Sequence, residues 1–356
     1  MEHLEDMREV FEKYYKWNKR RIGFFGNLIS AIIRSRSVNM QKVAENIEGK
    51  AKTESNYRRI QRIFKDQDID FDMTARLLST ILPSKENWVL TMDRTNWKLG
   101  KSNINLLVLG VSYKGMAIPL LWNFLTKEES LIECKRGNSN FQERKELLEK
   151  FISIFGVGRI KALTADREFI GQEWFEWLNE KNIPFVIRIR NNSVIDTNEF
   201  DSENVKELFK YVRKNEFCAF GKTSIFNTQL HLGGIRASKS EEPLIVVSNR
   251  KIDKKTIAIY KRRWEIETMF GALKSKGFNF EESKISEKLK VEKLMAFLSI
   301  SFIWSILAGD YRSIDKAIAY KKRELSNQEP FQIWFRVAKK RISQFHNQKE
   351  GVFAIA

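Results

Sequence analysis

The spacing of apolar residues changes once along the chain, at Pro83, and that change constrains the fold more than any other feature. Up to about residue 82 the apolar positions recur at helical intervals, and no alternating run of useful length appears. Beyond Pro83 the text becomes strand-like. Residues 88–93 form an apolar run that ends in Asp93, and 105–113 and 116–122 are two more runs, joined by Lys114-Gly115, a hairpin signal. An amphipathic helix is expected over 143–155. A fourth strand over 160–166 ends in Asp166, a helix covers 172–182, and a fifth strand covers 184–189. Strands in a run, then strands alternating with helices, describe an α/β protein with a mixed five-stranded sheet covered by helices.

Residues 191–243 interrupt this pattern. They are polar, rich in Asn, Lys and Ser, and hold short strand candidates at 217–220 and 229–232, so an inserted, mainly β subdomain is expected. A strand at 244–247 follows, then one long helix over 253–276 ended by Gly277. The remainder, 286–356, reads as helical and is dense in Lys321, Lys322, Arg323, Arg336, Lys339, Lys340 and Arg341. The organisation is therefore a helical region at 1–82, an α/β domain at 83–285 with its insertion at about 191–243, and a helical region at 286–356.

Lys and Arg number 63 against 45 Asp and Glu, a net charge of +18. Such an excess attracts polyanions, nucleic acid first and anionic membrane second. The longest apolar stretch, 294–308, holds 15 residues, three of them serine. A spanning helix needs about 20 apolar residues, so this one is expected to be buried in protein. The N-terminus is charged from its second residue, unlike a signal peptide, and a cytoplasmic location is the expectation. Cys134 and Cys218 lie far apart, and His3, His231 and His346 form no zinc pattern, so reduced thiols are expected. The absence of GxxxxGK[ST] argues against a nucleotide cofactor.

Within the first region, a short helix at 40–47, a break at Gly49 and a second helix from Thr53 as its N-cap to Phe64 outline a helix-turn-helix. The second helix carries Tyr57, Arg58, Arg59 and Arg62. These residues either contact DNA or form a solvated basic face.

Asp93 and Asp166 each close an apolar strand, and in open α/β sheets ligands gather at the C-terminal ends of strands. If the two strands are neighbours, the carboxylates can share metal ions. Two divalent ions about 3.5–4 Å apart can activate a hydroxyl and stabilise the leaving oxygen at a phosphodiester. Magnesium suits such a site, because water and phosphate oxygens complete its shell. Glu267 on the helix at 253–276 offers a third carboxylate. On a helical wheel with Tyr260 as origin, Arg263 falls at about 300°, Glu267 at about 340° and Lys274 at about 320°. Read without further context, this polar stripe is equally a solvated face with an i, i+4 ion pair between Arg263 and Glu267.

The spacing Tyr260-x2-Arg263-x3-Glu267-x6-Lys274 resembles the Y-x2-R-x3-E-x6-K (YREK) signature of the insertion-sequence-4 family of DDE transposases. The surrounding YKRRWEIETMFGALKSKGF is similar to that family, as are MDRTNWKLG around Asp93, GNSNFQERKELL from Gly137 and LTADREFIG around Asp166. AKTESNYRRIQRIF from Ala51 resembles the N-terminal region of one branch. The resemblance covers nearly the whole chain; the last 60 or so residues match only in general helical character.

The resemblance implies a ribonuclease-H-like catalytic core, interrupted by a β-rich insertion. Asp93, Asp166 and Glu267 would bind two Mg²⁺ ions, with Mn²⁺ able to substitute. Tyr260, Arg263 and Lys274 would hold the DNA end around the scissile phosphate. Arg94 and Arg167, each next to an Asp, either contact DNA or partner those carboxylates. The implied activity is cut-and-paste transposition. Water attacks the phosphodiester at the element's end and frees a 3′-OH, which attacks the opposite strand to give a hairpin, and after reopening it attacks target DNA. The implied partners are transposon-end inverted-repeat DNA, target DNA and a second copy of the chain as a homodimer. One departure concerns base flipping: some members stack the flipped base on a tryptophan of the insertion, and 191–243 contains none. Phe200, Phe209, Tyr211, Phe217, Phe220 and Phe226 are the aromatics there, most of them expected in a small core. Trp264 falls at about 40° on the wheel and is expected to pack against the sheet. The rival readings are a catalytically inactive DNA-binding relic or inhibitor of transposition, and a general nuclease of the same fold.

Overall fold

The computed structural model describes residues 7–315 apart from 83, 85, 100–101, 126–138, 198–199, 237–241 and 286. The basic block at 321–341, Cys134, His3 and His346 lie outside the described residues. Five helices come first: α1 (Met7–Tyr14), α2 (Lys19–Ser35), α3 (Met40–Glu45), α4 (Thr53–Asp66) and α5 (Phe71–Ile81). Gly49, at φ +127°, lies in the connection from α3 to α4. Thr53 is the first residue of α4 and not its cap. Lys52 takes the cap position in extended backbone, and its carbonyl accepts from Asn56 N at 3.1 Å.

The central run is β1 (Trp88–Leu99), β2 (Ser102–Tyr113), β3 (Met116–Phe124), α6 (Phe141–Phe155), β4 (Ile160–Ala165), α7 (Gln172–Glu180) and β5 (Phe185–Arg188), in the order expected from sequence. The β2–β3 turn has positive φ at both Lys114 and Gly115. That backbone matches the twist of a two-residue hairpin, and glycine tolerates it without steric cost.

Residues 191–243 supply β6 (Val194–Thr197), β7 (Phe200–Asn204), a single helical turn α8 (Val205–Leu208), β8 (Phe217–Ile225) and β9 (Thr228–Ile235); β10 (Leu244–Ser248) follows. The expected five-stranded sheet is a ten-stranded one, in the order β3-β2-β1-β4-β5-β10-β9-β8-β6-β7. The reason is an open edge. β10 pairs antiparallel with β5 on one side and with β9 on the other, so the inserted strands continue the sheet instead of closing their own. Close approach at this junction needs glycine: a Cβ on Gly234 would meet the Leu244 carbonyl oxygen at 2.5 Å and the Phe209 ring at 2.7 Å.

The helix expected over 253–276 is divided. Asp253 caps α9 (Lys254–Lys261) through a reciprocal capping box with Thr256. The chain tightens at Arg262 and Arg263, then runs on as α10 (Trp264–Gly271) and one π-helical turn at Ala272–Lys276. Backbone bonds from Arg263 N to the Tyr260 carbonyl and from Ile266 N to the Arg263 carbonyl, at 2.8 and 3.2 Å, span three residues. Three residues per turn instead of about 3.6 displaces side chains from their places on a continuous wheel.

Last comes α11 (Lys288–Asp315). Its side chains from Leu294 to Leu307 are almost all buried, and among the described residues no helix is long and apolar enough to cross a membrane. Instead Phe297 packs edge-on to Phe25 of α2 and Phe64 of α4, both at 5.2 Å between ring centres. The buried Lys293 Nζ donates to the Phe64 carbonyl at 3.0 Å. The N-terminal helices, α10, α11 and much of the sheet thus share a single apolar core. A smaller cluster of Val186, Val246, Ile252, Ile257 and Tyr260 seats α9 on the opposite face.

Candidate active site

Asp93 is not at the end of its strand, as the sequence suggested. β1 continues to Leu99 because β2 stays hydrogen-bonded to it up to the hairpin. Its other neighbour, the parallel β4, stops at Ala165, whose partner across the sheet is Met92. One step further along both chains, Asp93 and Asp166 stand side by side on adjacent strands. Each carboxylate is oriented the same way: Asp93 Oδ1 accepts from Arg94 N at 2.8 Å, and Asp166 Oδ1 from Arg167 N at 2.7 Å.

Arg263 links the third carboxylate to this pair. Its Nη1 lies 3.4 Å from Asp93 Oδ2, and its Nη2 donates to Glu267 Oε1 at 2.6 Å. The i, i+4 pair therefore exists but is not a solvated face, since the Arg263 side chain is only 8% exposed. Tyr260 is buried and lies within electrostatic reach of Arg263. Lys274, carried on the π-helical turn, pairs with Glu281 at 3.5 Å.

Burial pushes the Asp93 carboxyl up to about 7; the Arg94 N–H and Arg263 oppose this, while Glu168 and Asp166 add to it. Burial also raises Tyr260 to about 12, so its hydroxyl stays neutral and keeps its proton to donate. Desolvation works against the charge of Arg263, but the carboxylates of Glu267 and Asp166 help to hold the guanidinium protonated.

A family model of the transposase DDE domain matches residues 125–304, half of the chain. This chain belongs to the transposase DDE domain family. The matched span contains Asp166 and Glu267 and begins downstream of Asp93, so within this DDE transposase Asp93 is tied to the other two by sheet register and by Arg263. No curated protein matches the chain.

The candidate site has a fourth carboxylate that sequence reasoning missed. Glu168 accepts from Arg94 Nε at 2.9 and 3.1 Å, which joins β1 to the loop after Asp166. Buried Arg144 of α6 secures the same loop by donating to the Glu168 carbonyl at 2.9 Å and to Ser139 Oγ at 2.9 Å. Of the two arginines that follow an aspartate, Arg94 is thus held by a carboxylate. The half-exposed Arg167 reaches out to Glu242 at 3.9 Å. Only the repeated Asp-Arg pair at 93–94 and 166–167 signals this arrangement in the sequence; nothing there points to Glu168.

Among the described residues, no three His, Cys, Asp or Glu side chains are gathered closely enough to hold one ion between them. The chemistry of the donor set nonetheless fits a hard divalent cation. It consists of carboxylate oxygens without His or Cys, it is partly buried, and the Arg263 guanidinium offsets only part of its negative charge. Asp93 and Asp166 would hold such an ion from the sheet, and Glu267 from α10.

The basic residues of α4 divide between two surfaces. Arg58 and Arg62 are exposed and, with Tyr57, Lys65, Lys284 and Lys290, line a cleft of 1310 Å³ between α3, α4 and the segment leading into α11. Arg59 instead stacks its guanidinium on the Phe24 ring at 4.0 Å, on the side facing α2. Trp264 does not pack against the sheet: it is 62% exposed, beside the Arg263 guanidinium. It begins α10 just past the tightened turn, which rotates it outward. In the insertion, between α8 and β8, Phe209 is buried, whereas Tyr211 is 86% exposed and not part of the small core expected there.

Proposed function

We propose that this DDE transposase performs cut-and-paste transposition by two-metal-ion chemistry, as the insertion-sequence-4 family does. The observation that carries the reading is the register: β1 and β4 put Asp93 beside Asp166, and Arg263 joins Asp93 to Glu267. Divalent ions at these carboxylates, Mg²⁺ or Mn²⁺, would activate the attacking oxygen and stabilise the leaving one.

The chain's own residues bind and orient. Tyr260 offers a neutral hydroxyl as donor to a phosphate oxygen. Arg263 neutralises Asp93 and Glu267 in the metal-free protein and turns to phosphate oxygens when cations take over that charge; its planar fork suits bidentate pairing. Lys274 is released from a half-exposed ion pair to meet the DNA backbone. Water attacks phosphorus in line and the 3′ oxygen leaves, freeing the 3′-OH that later joins target DNA. Each step exchanges one P–O bond for another, so no nucleotide is consumed. The net charge of +18 supports binding to transposon-end and target duplexes, with a homodimer pairing the two ends.

The test uses the DNA flanking the coding sequence as a labelled duplex, with Mg²⁺ or Mn²⁺. Strand-specific cutting at one position, absent in EDTA and in Glu267→Gln while end binding persists, is the expected result. Tight binding with no cut in either metal would transfer the reading to a non-catalytic DNA-binding relic or inhibitor.

A further inference from the structure

The row that holds Asp93 and Asp166 has a third member. β5 runs parallel to β4, and the last paired residues are Ala165 and Ile187. One step on, Arg188 stands beside Asp166 as Asp166 stands beside Asp93, so three adjacent parallel strands present Asp, Asp and Arg in one row across the sheet. Residues two apart on a strand share a face. Val186 belongs to the cluster under α9 with Tyr260, so Arg188 shares that face.

Two further observations concern Arg188. Its Nε is buried and has no hydrogen-bond partner. A buried cationic N–H left unmet is costly, and such groups persist where a ligand supplies the acceptor. Tyr260 packs in the same cluster as Val186 and lies within electrostatic reach of both Arg188 and Asp166. Beyond β5 the chain passes to Arg190, which lines a cavity of 560 Å³ with Arg167, Lys206 and the carboxylates of Asp166, Glu168 and Glu242, so further cations stand among the acidic groups next to Arg188.

We propose that Arg188 and Tyr260 form a phosphate seat next to Asp166, which takes one phosphodiester of the cleaved strand and sets the register of that strand on the carboxylates. The proposal rests on the transposase reading above. A guanidinium meets the anionic oxygens of a phosphodiester in fork geometry, and burial strengthens the pairing. Asp166 alone would repel that phosphate, and Arg188 offsets the repulsion from the neighbouring strand.

The experiment places a single uncharged methylphosphonate at each position around the cut in the end duplex. Single-turnover cleavage in Mg²⁺ is then measured for the wild-type chain, Arg188→Gln and Arg188→Ala. In the wild type one position near the cut should lose cleavage by roughly 10- to 100-fold, a charge-assisted contact's worth. Arg188→Gln should lose about as much on natural DNA and show no further loss at that position, while retaining sensitivity elsewhere. Arg188→Ala repeats the test, and its melting curve reports any loss of fold. Should neither variant fold, the seat would be overturned in favour of a structural role for Arg188. Unchanged cleavage by Arg188→Gln, or a full methylphosphonate pattern in that variant, would overturn the seat and leave the transposase reading intact. No cutting by the wild type in either metal would instead sink the transposase reading, and the seat with it.

Discussion

Arg263 reaches Asp93 across 3.4 Å from a position 170 residues further along the chain, and the same guanidinium holds Glu267 at 2.6 Å. A buried cation thus binds a strand carboxylate to a helix carboxylate before any metal or DNA arrives.

Removing that cation leaves Asp93 buried without its partner. Arg263→Ala should lower stability in EDTA by about 3 kcal/mol, as for a broken buried pair, read by urea denaturation. Mg²⁺ should then raise the melting temperature of the variant more than that of the wild type, because the carboxylates that Arg263 held are left free to bind the ion. An equal Mg²⁺ response in both proteins would count against a metal site at these residues.

Asp93 gives the metal-free protein a pH-dependent stability. Its carboxyl titrates near 7 when folded and at about 3.9 when unfolded, so the folded state binds the proton more tightly. No penalty exists below about pH 4. It grows as pH rises and is complete above about pH 7, when the folded protein must carry a buried charge. In EDTA, Asp93→Asn should therefore match the wild type near pH 4 and exceed it at pH 8, by on the order of 1–4 kcal/mol. Denaturation curves at the two pH values give the comparison; a variant equally stable or weaker at pH 8 would refute the burial argument.

Arg58 and Arg59 are neighbours in sequence with different surroundings. Arg58→Ala should weaken end binding and reduce the slope of log affinity against log salt by about 1, with the fold unaffected. Arg59→Ala should change melting more than binding, since it removes the guanidinium stacked on Phe24. Gel shifts at several salt concentrations, paired with melting curves, separate the two; the reverse pattern would mean that the side toward α2 meets the DNA.

Much of the fold was legible because the patterns are local. The apolar run at 116–122, the Lys114-Gly115 turn and the helix ending at Phe155 depend on neighbours a few residues away, and they appear in the structure nearly where the spacing puts them. Strand ends were less legible. Asp93 read as terminal because polar residues follow it, yet β2 keeps those residues paired to Leu99. The division between α9 and α10 was hidden for a similar reason: neither Pro nor Gly marks it, and its three-residue bonds leave no compositional trace. That turn is why a wheel drawn over 253–276 turned Trp264 inward while the structure leaves it exposed.

From the sequence alone came the alternation of strands and helices, the basic balance, and the residue types at 93, 166, 260, 263, 267 and 274, all of them properties of local spacing and count. Only the tertiary structure decided which groups meet. Pairing of β4 with β1 and of β4 with β5 aligned Asp93, Asp166 and Arg188, and the packing of α10 on the sheet turned Arg263 inward. β10 made the insertion part of the main sheet. These are contacts between segments tens to hundreds of residues apart, and their register follows from hydrogen bonding across strands and from burial, neither of which is written in the spacing of any one segment.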